Sequence, residues 1–384
     1  MACATKTRPC SPRSAASRRR GSPDGDARLC RLTVAAHAWR YFPSSDGRPP
    51  RAALSCAPPS RHVRNHTMQH RLAAFALQLA ALCAGLLGSP VSHAEEDRAA
   101  PRRYLNTVFP EHVRHGNLVY AENLNNLDGK VEKLTMRVFE PKGDTATKRP
   151  LLVLTPGGGF VRTEDFWMDD FGEELARAGY VVVINRYRLS ANIDSPEKFY
   201  DALFKAMSDQ KAVIRWFVKD AAGANRFKVD VDNIFIGGHS AGAFTSMYTA
   251  YLDARSKLPD MGSSALKANG GVEGNTSKEP LKFKVRGVIN LSGAVGSSDL
   301  DIIEAGEPAL LSIHGDKDDV VPLASNGGLH GSATLHQRAQ SLGIKSVLQV
   351  VEGGDHIDPA DPKRCPECLP LIKRFMFTTM QRQQ

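Results

Sequence analysis

The sequence holds little cysteine outside its first quarter. Of seven Cys in 384 residues, five (Cys3, Cys10, Cys30, Cys56 and Cys83) precede residue 95. Only Cys365 and Cys368, in RCPECLP, follow. With no second pair to complete four ligands, a structural zinc site is disfavoured. The pair does not open a helix after an early strand, which weighs against disulfide-exchange chemistry. In an oxidising compartment it is expected to close a local disulfide. Free thiols, metal ligands and a redox pair are the other readings.

Positive charge is missing where it would matter. The formal net charge is +9 over the whole chain. Residues 1–94 hold 14 Lys and Arg against 3 Asp and Glu, while residues 95–384 hold 36 against 38. The larger part therefore has a balance of −2, with no net basic field for nucleic acid. Long apolar runs are also absent beyond residue 94, so no stable membrane insertion is expected there. No internal repeat is visible.

What is present begins with an export pattern. Residues 68–94 read MQHRLAAFALQLAALCAGLLGSPVSHA. A Met, a short basic segment with His70 and Arg71, an apolar run from Leu72 to Leu87 and a small-residue end at Ala94 make a secretory signal. An uncleaved anchor is the alternative. Residues 1–67 are rich in Arg, Pro and Ser and show no periodicity. They are expected to be a disordered extension or an upstream start wrongly assigned. The mature chain, 95–384, is then expected to be a single domain in the periplasm or outside the cell.

Hydrophobic residues make up 42% of the chain, enough for a sizeable core. PLLVLTPGGG (150–159), YVVVINRYR (180–188), NIFIGG (233–238), VRGVINLSGAV (285–295) and PALLSIHGD (308–316) read as buried strands, and SVLQVVEGG (346–354) as the last strand. VEKLTMRVFEP (131–141) alternates like a half-exposed one. Helical spacing covers 166–179, 199–223, 241–254, 335–343 and about 369–381. Continuous apolar strands alternating with helices imply an α/β fold, with a mostly parallel central sheet covered on both faces. Residues 256–281, polar and glycine-rich, are expected to be a mobile loop or a small cap. The Asn275-Thr276-Ser277 sequon within them reads as incidental.

Reactive groups in such sheets collect at the carboxyl ends of strands. Gly238-His239-Ser240-Ala241-Gly242 stands there and opens a helix. It matches G-x-S-x-G, in which tiny residues flank a serine on a sharp strand-to-helix turn. Ser240 is the candidate nucleophile. A hydroxyl needs a base, and the base needs an orienting acid. Downstream, one strand end offers Asp316, Asp318 and Asp319, and the last offers His356. Asp318 is favoured, ahead of Asp319 and Asp316. Among the other histidines, His239 would point away from Ser240, His314 lies within a strand, and His330 and His336 look like surface residues. The backbone N–H of Ala241 is the first oxyanion donor, and the loop Thr155-Pro156-Gly157-Gly158-Gly159-Phe160 should supply others. Phe160, Phe166 and Trp167 either line a pocket or sit in the core.

These blocks together resemble the α/β-hydrolases of the carboxylesterase and lipase type, particularly the HGGG-bearing esterases related to hormone-sensitive lipase. PGGGF, GHSAG, HGDKDDVVP and the later GGDH carry the resemblance, over about residues 115–380. It selects Asp318 as the acid and implies Gly158 and Gly159 as oxyanion donors beside Ala241. One departure is clear: Pro156 stands where that family usually has His. No long cap segment is evident, so a fairly open site is expected. The implied activity is hydrolysis of carboxylic esters, of short to medium acyl or plant-wall type, on small or polymer-attached substrates without metal or organic cofactor. A serine peptidase of the same fold and a silent hydrolase-like binding protein are the alternatives.

Overall fold

The computed structural model describes residues 102–381 except Asn126, Phe166 and Lys278. The expected extension at 1–67, the signal at 68–94 and the cleavage point at Ala94 lie outside the described residues.

Strands β1 (His112–Asn125), β2 (Lys130–Pro141), β3 (Arg149–Thr155), β4 (Val181–Asn185), β5 (Val229–His239), β6 (Val285–Leu291), β8 (Ala309–Gly315) and β10 (Ser346–Val351) form one sheet. Its order is β1-β2-β4-β3-β5-β6-β8-β10. From β4 to β10 every pairing is parallel; β1 and β2 run antiparallel at one edge. Two short strands, β7 (Ala294–Gly296) and β9 (Leu329–Gly331), pair separately.

The LLVL run of β3 and the VVVI run of β4 are apolar and fully buried because helices cover both faces. On one face lie α2 (Pro196–Ala222), α3 (Ala241–Tyr251) and α5 (Ser332–Ser341), whose Phe199, Phe204, Phe217, Phe244 and Leu335 join the core. On the other lie α1 (Met168–Arg177) and α6 (Cys368–Met380), which bury Phe171, Leu175, Ile372 and Phe375 against β3, β5 and β8. Each such phenylalanine contributes about 2 kcal/mol by leaving water. Ser195 caps α2 by accepting the Lys198 N–H, and Pro196 holds its first turn.

Two elements differ from the sequence reading. β1 lies in a segment to which the sequence reading gave no element; it is a 14-residue edge strand in which Tyr120 and Asn125 alone are buried. Residues 256–281 include helix α4 (Asp260–Ala268) and a strap along α2. Lys211 and Arg215 of α2 hold the carbonyls of Val272 and Glu273, and Ser208 bonds Thr276. Polar composition hid this packing, because backbone and hydroxyl bonds hold the strap rather than apolar burial.

The consequence for function is positional. β3, β5, β8 and β10 all end at the same edge of the sheet, so the segments after them converge.

Candidate active site

The serine turn has a constrained backbone. β5 ends at His239, Ser240 takes φ +52° and ψ −122°, and α3 starts at Ala241. This left-handed conformation costs a non-glycine residue roughly 1–3 kcal/mol, so the surroundings must enforce it. They do so by close approach. A Cβ on Gly242 would lie 1.8 Å from the Thr155 carbonyl oxygen, and one on Gly238 would lie 2.3 Å from the same atom. Both flanking glycines are therefore obligatory. Below the turn, Gln210 donates to Thr155 and Ser246, Thr155 donates to Asn185, and Ser246 donates to the Gly242 carbonyl. This buried polar chain ties β3, β4, α2 and α3 beneath Ser240.

The three expected partners come together. His356 Nε2 lies 2.9 Å from Ser240 Oγ, and His356 Nδ1 lies 2.7 Å from Asp318 Oδ2. Ser240 is 6% and His356 8% exposed, which leaves the chain of bonds narrowly open to solvent. Asp318 Oδ1 accepts the N–H groups of Val320 and Val321 at 2.9 and 2.8 Å. Burial alone would raise the Asp318 pKa. The imidazoles of His314 and His356 and the Val321 N–H outweigh it and hold the carboxyl well below the usual carboxylate range. The neighbouring acids do other things. Asp316 accepts the Gly353 N–H at 2.6 Å, which ties the β10 turn to the β8 turn, and Asp319 is exposed.

The remaining histidines divide. His330 bonds Ser325 and the Ser297 carbonyl, and His336 bonds Ser346, both away from Ser240. His239 does turn from the serine, but its ring lies 4.8 Å from that of His356 and its Nε2 donates to the His356 carbonyl at 2.8 Å. Burial first, then the nearby His356, pushes its pKa down to about 3, so it is a neutral donor. His314 is inside β8, as read from sequence, yet its Nε2 reaches to 3.1 Å from Asp318 Oδ2. Sequence reasoning missed both contacts. The signal for His314 was its position four residues before the acid, across a tight turn.

The glycine loop is ordered without the histidine that Pro156 replaces. The Gly157 carbonyl accepts the Glu164 N–H, the Gly158 carbonyl accepts those of Val161 and Arg162, and the Phe160 carbonyl accepts that of Ser190. These bonds use loop carbonyls and leave out the N–H groups of Gly158 and Gly159. Gly158, Gly159 and Phe160 all have positive φ (+115°, +61° and +63°). Phe160 tolerates this because its ring is fixed edge-on against Tyr187 and Phe199. At Gly158 a Cβ would lie 2.2 Å from the Arg162 carbonyl oxygen; at Gly159 it would meet nothing within 4 Å. Gly157 lies against the serine itself, since a Cβ there would come 3.2 Å from Ser240 Cβ. The loop and the serine turn are thus in contact.

Phe160 and Trp167 are core residues, Trp167 packing edge-on against His239; Phe166 lies outside the described residues. Cys365 and Cys368 are joined by a disulfide, fully buried at the start of α6. Arg364 beside it bonds Asp355 and pairs with Asp358, the two acids around His356. In the sequon, Asn275 is exposed, and the buried Thr276 hydroxyl at its middle position donates to Asp209. No helix among the described residues is long and apolar enough to cross a membrane.

Sheet order, serine turn and converging loops define the class: the chain has the α/β-hydrolase fold. Residues 136–304 match the BD-FAE family model, a span that contains Gly158, Gly159 and Ser240 and ends before Asp318. Two esterases of known structure share the architecture. One is a thermophilic esterase from the Planctomycetes species Thermogutta terrifontis with propionate bound, 18% identical over 68% of this chain and 93% of that one, with a TM-score of 0.50. Another is a carbohydrate esterase from gut microbiota in truncated form, 18% identical over 71% of this chain and 97% of that one, with a TM-score of 0.52. A search of curated proteins finds no match to the chain.

Proposed function

We propose that this protein is an exported serine carboxylesterase that works through an acyl-enzyme. The observation that carries the reading is the unbroken bond chain Ser240–His356–Asp318 at 2.9 and 2.7 Å, set against the glycine loop. His356 takes the Ser240 proton as Oγ attacks an ester carbonyl. The carbonyl oxygen, now negative, is received by the N–H groups of Gly158, Gly159 and Ala241, the last at the positive end of α3. Each such donor is worth about 3 kcal/mol in the transition state. His356 then protonates the departing alcohol. A water molecule, deprotonated by the same ring, attacks the acyl group and frees the acid. Asp318, ionised throughout, fixes the ring with its proton on Nδ1 and stabilises the imidazolium.

The substrates we propose are esters of short to medium acids, free or attached to a plant-wall type polymer. The propionate-bound neighbour and the carbohydrate esterase of like fold support this range. The expected signal at 68–94 and the buried disulfide support action in an oxidising compartment. The test uses residues 95–384 made through an oxidising export route. Wild type and Ser240→Ala are compared on p-nitrophenyl esters from acetate to palmitate. Activity confined to wild type, with an optimum at short to medium chains, is expected. Equal rates in both proteins would show that Ser240 is not the nucleophile, and no ester turnover would move the reading to a peptidase or a silent scaffold.

A further inference from the structure

Beside the proposed triad lies an imidazole that the acyl-transfer steps leave unused. His314, on β8, is fully buried. Its Nε2 stands 3.1 Å from Asp318 Oδ2 and 3.0 Å from the Val321 carbonyl oxygen. A carbonyl and an ionised carboxylate only accept, so this nitrogen carries a proton, shared between the two. Its Nδ1 stands 2.7 Å from Ser332 Oγ. Ser332 Oγ already accepts an N–H of Asn290 at 3.0 Å, and the other Asn290 N–H goes to Ser312. The Ser332 hydroxyl is therefore free to donate to His314 Nδ1. The run Asn290 to Ser332 to His314 to Asp318 has one consistent direction, with a neutral ring protonated on Nε2.

Asp318 Oδ2 also accepts from His356 Nδ1, so two imidazoles share one oxygen. Oδ1 is taken by the Val320 and Val321 N–H groups. The carboxylate is thus held from three directions, and His314 sets the lateral one.

We propose that His314 is a positioning residue of the triad: fixed as a donor by Ser332, it holds Asp318 Oδ2 in line with His356 and tempers the pull of that carboxylate on the His356 proton. The proposal rests on the esterase reading above. Loss of the His314 donor would leave Asp318 more basic. It would then bind the imidazolium form of His356 more tightly, and His356 would titrate at higher pH. The other groups facing this pair do not compete for the role. His239, from β5, is neutral and bonds the His356 carbonyl; Asp355 and Asp358, flanking His356, are paired with Arg364; Asp316 is tied to Gly353; Asp319 is exposed.

The experiment compares wild type with His314→Phe, His314→Gln and Ser332→Ala. The rate on p-nitrophenyl butyrate is measured from pH 5 to 9. In parallel, ¹H–¹⁵N correlation spectra of histidine-labelled protein follow His356 titration without substrate. In His314→Phe we expect kcat to fall roughly tenfold with KM nearly unchanged, as for a mispositioned catalytic group. The acid limb of kcat/KM and the His356 titration should both rise by about half a pH unit. His314→Gln, which restores a donor, should return most of both. Ser332→Ala should shift His356 the same way by less. A rate loss with the His356 titration unmoved would reduce His314 to a packing residue and overturn the proposal, as would no change in either readout. If His314→Phe does not fold, the Ser332→Ala titration decides alone. If wild type hydrolyses no ester but His356 titration shifts as described, the esterase reading fails and the positioning role stands.

Discussion

Two of the carboxyl groups sealed in this molecule, Asp318 and Asp299, are treated in opposite ways. Asp318, in the turn after β8, meets two backbone N–H groups and two imidazoles, and its pKa is driven down despite burial. Asp299, after β7, meets only the hydroxyls of Tyr200 and Tyr248, both on Oδ2, while Oδ1 has no partner. There burial wins over the tyrosine donors and the pKa rises. Depth is the same in kind; the number and charge of the donors differ. A buried acid able to orient a cationic histidine must be supplied with enough donors to stay ionised, whereas an acid with only two phenol donors has its pKa raised by burial.

The largest effect should come from breaking the ionised side. Asp318→Asn is expected to lower kcat by about 10⁴-fold, since an amide favours the wrong His356 tautomer. Asp299→Asn should change kcat no more than about threefold, because its amide oxygen still accepts from both tyrosines. Comparable losses in the two variants, measured on one ester, would erase the distinction.

The next effect is on stability near the site. Replacing both Cys365 and Cys368 with Ser should cost about 2 kcal/mol in urea unfolding, the loop-entropy value for so short a ring. Turnover at room temperature should persist, as should turnover of native protein in reductant, because the bridge is buried. A prompt, reversible loss of rate on reduction would instead give the bridge a regulatory part. Tyr248→Phe removes one donor from Asp299 and should destabilise by about 1–2 kcal/mol with kcat intact.

The smallest effect sharpens the comparison by pH. Asp318 has a folded pKa below its unfolded value of about 3.9, so the stability it lends is present above that pH and fades as acid approaches the lower value. Asp299 has a raised folded pKa, so its contribution is full below about 3.9 and is lost as pH rises through the folded value. Wild type should therefore lose thermal stability relative to Asp299→Asn as pH rises above about 4. It should lose its advantage over Asp318→Asn only in strong acid. Parallel Tm curves for Asp299→Asn and wild type would contradict the assignment.

Much of this architecture was legible in residues. The buried strands stood out because helices on both faces permit uninterrupted runs such as LLVL and YVVVI. The serine turn was legible because its geometry forbids side chains at Gly238 and Gly242, leaving a mark in the sequence. β1 left no such mark: an edge strand with one face in water has few apolar positions, and HVRHGNLVYAENLN shows no sustained alternation. The strap at 269–281 was hidden because hydroxyl and backbone bonds to α2 hold it. His314 was correctly placed in a strand, but strand position does not reveal that a turn folds Asp318 back over it. The loop after Pro156 is held by Glu164, Ser190 and the Phe160 ring, contacts that depend on other chain segments and leave no local mark.

The account stands on Ser240 as nucleophile, and one measurement reaches it without any knowledge of substrate. Residues 95–384 would be treated with a fluorophosphonate, and intact mass followed by peptide mapping would locate the adduct. We predict one equivalent on the peptide containing Ser240, none in Ser240→Ala, and slow labelling in Asp318→Asn. Absence of label in folded wild-type protein, or an adduct on another residue that persists in Ser240→Ala, would contradict the account.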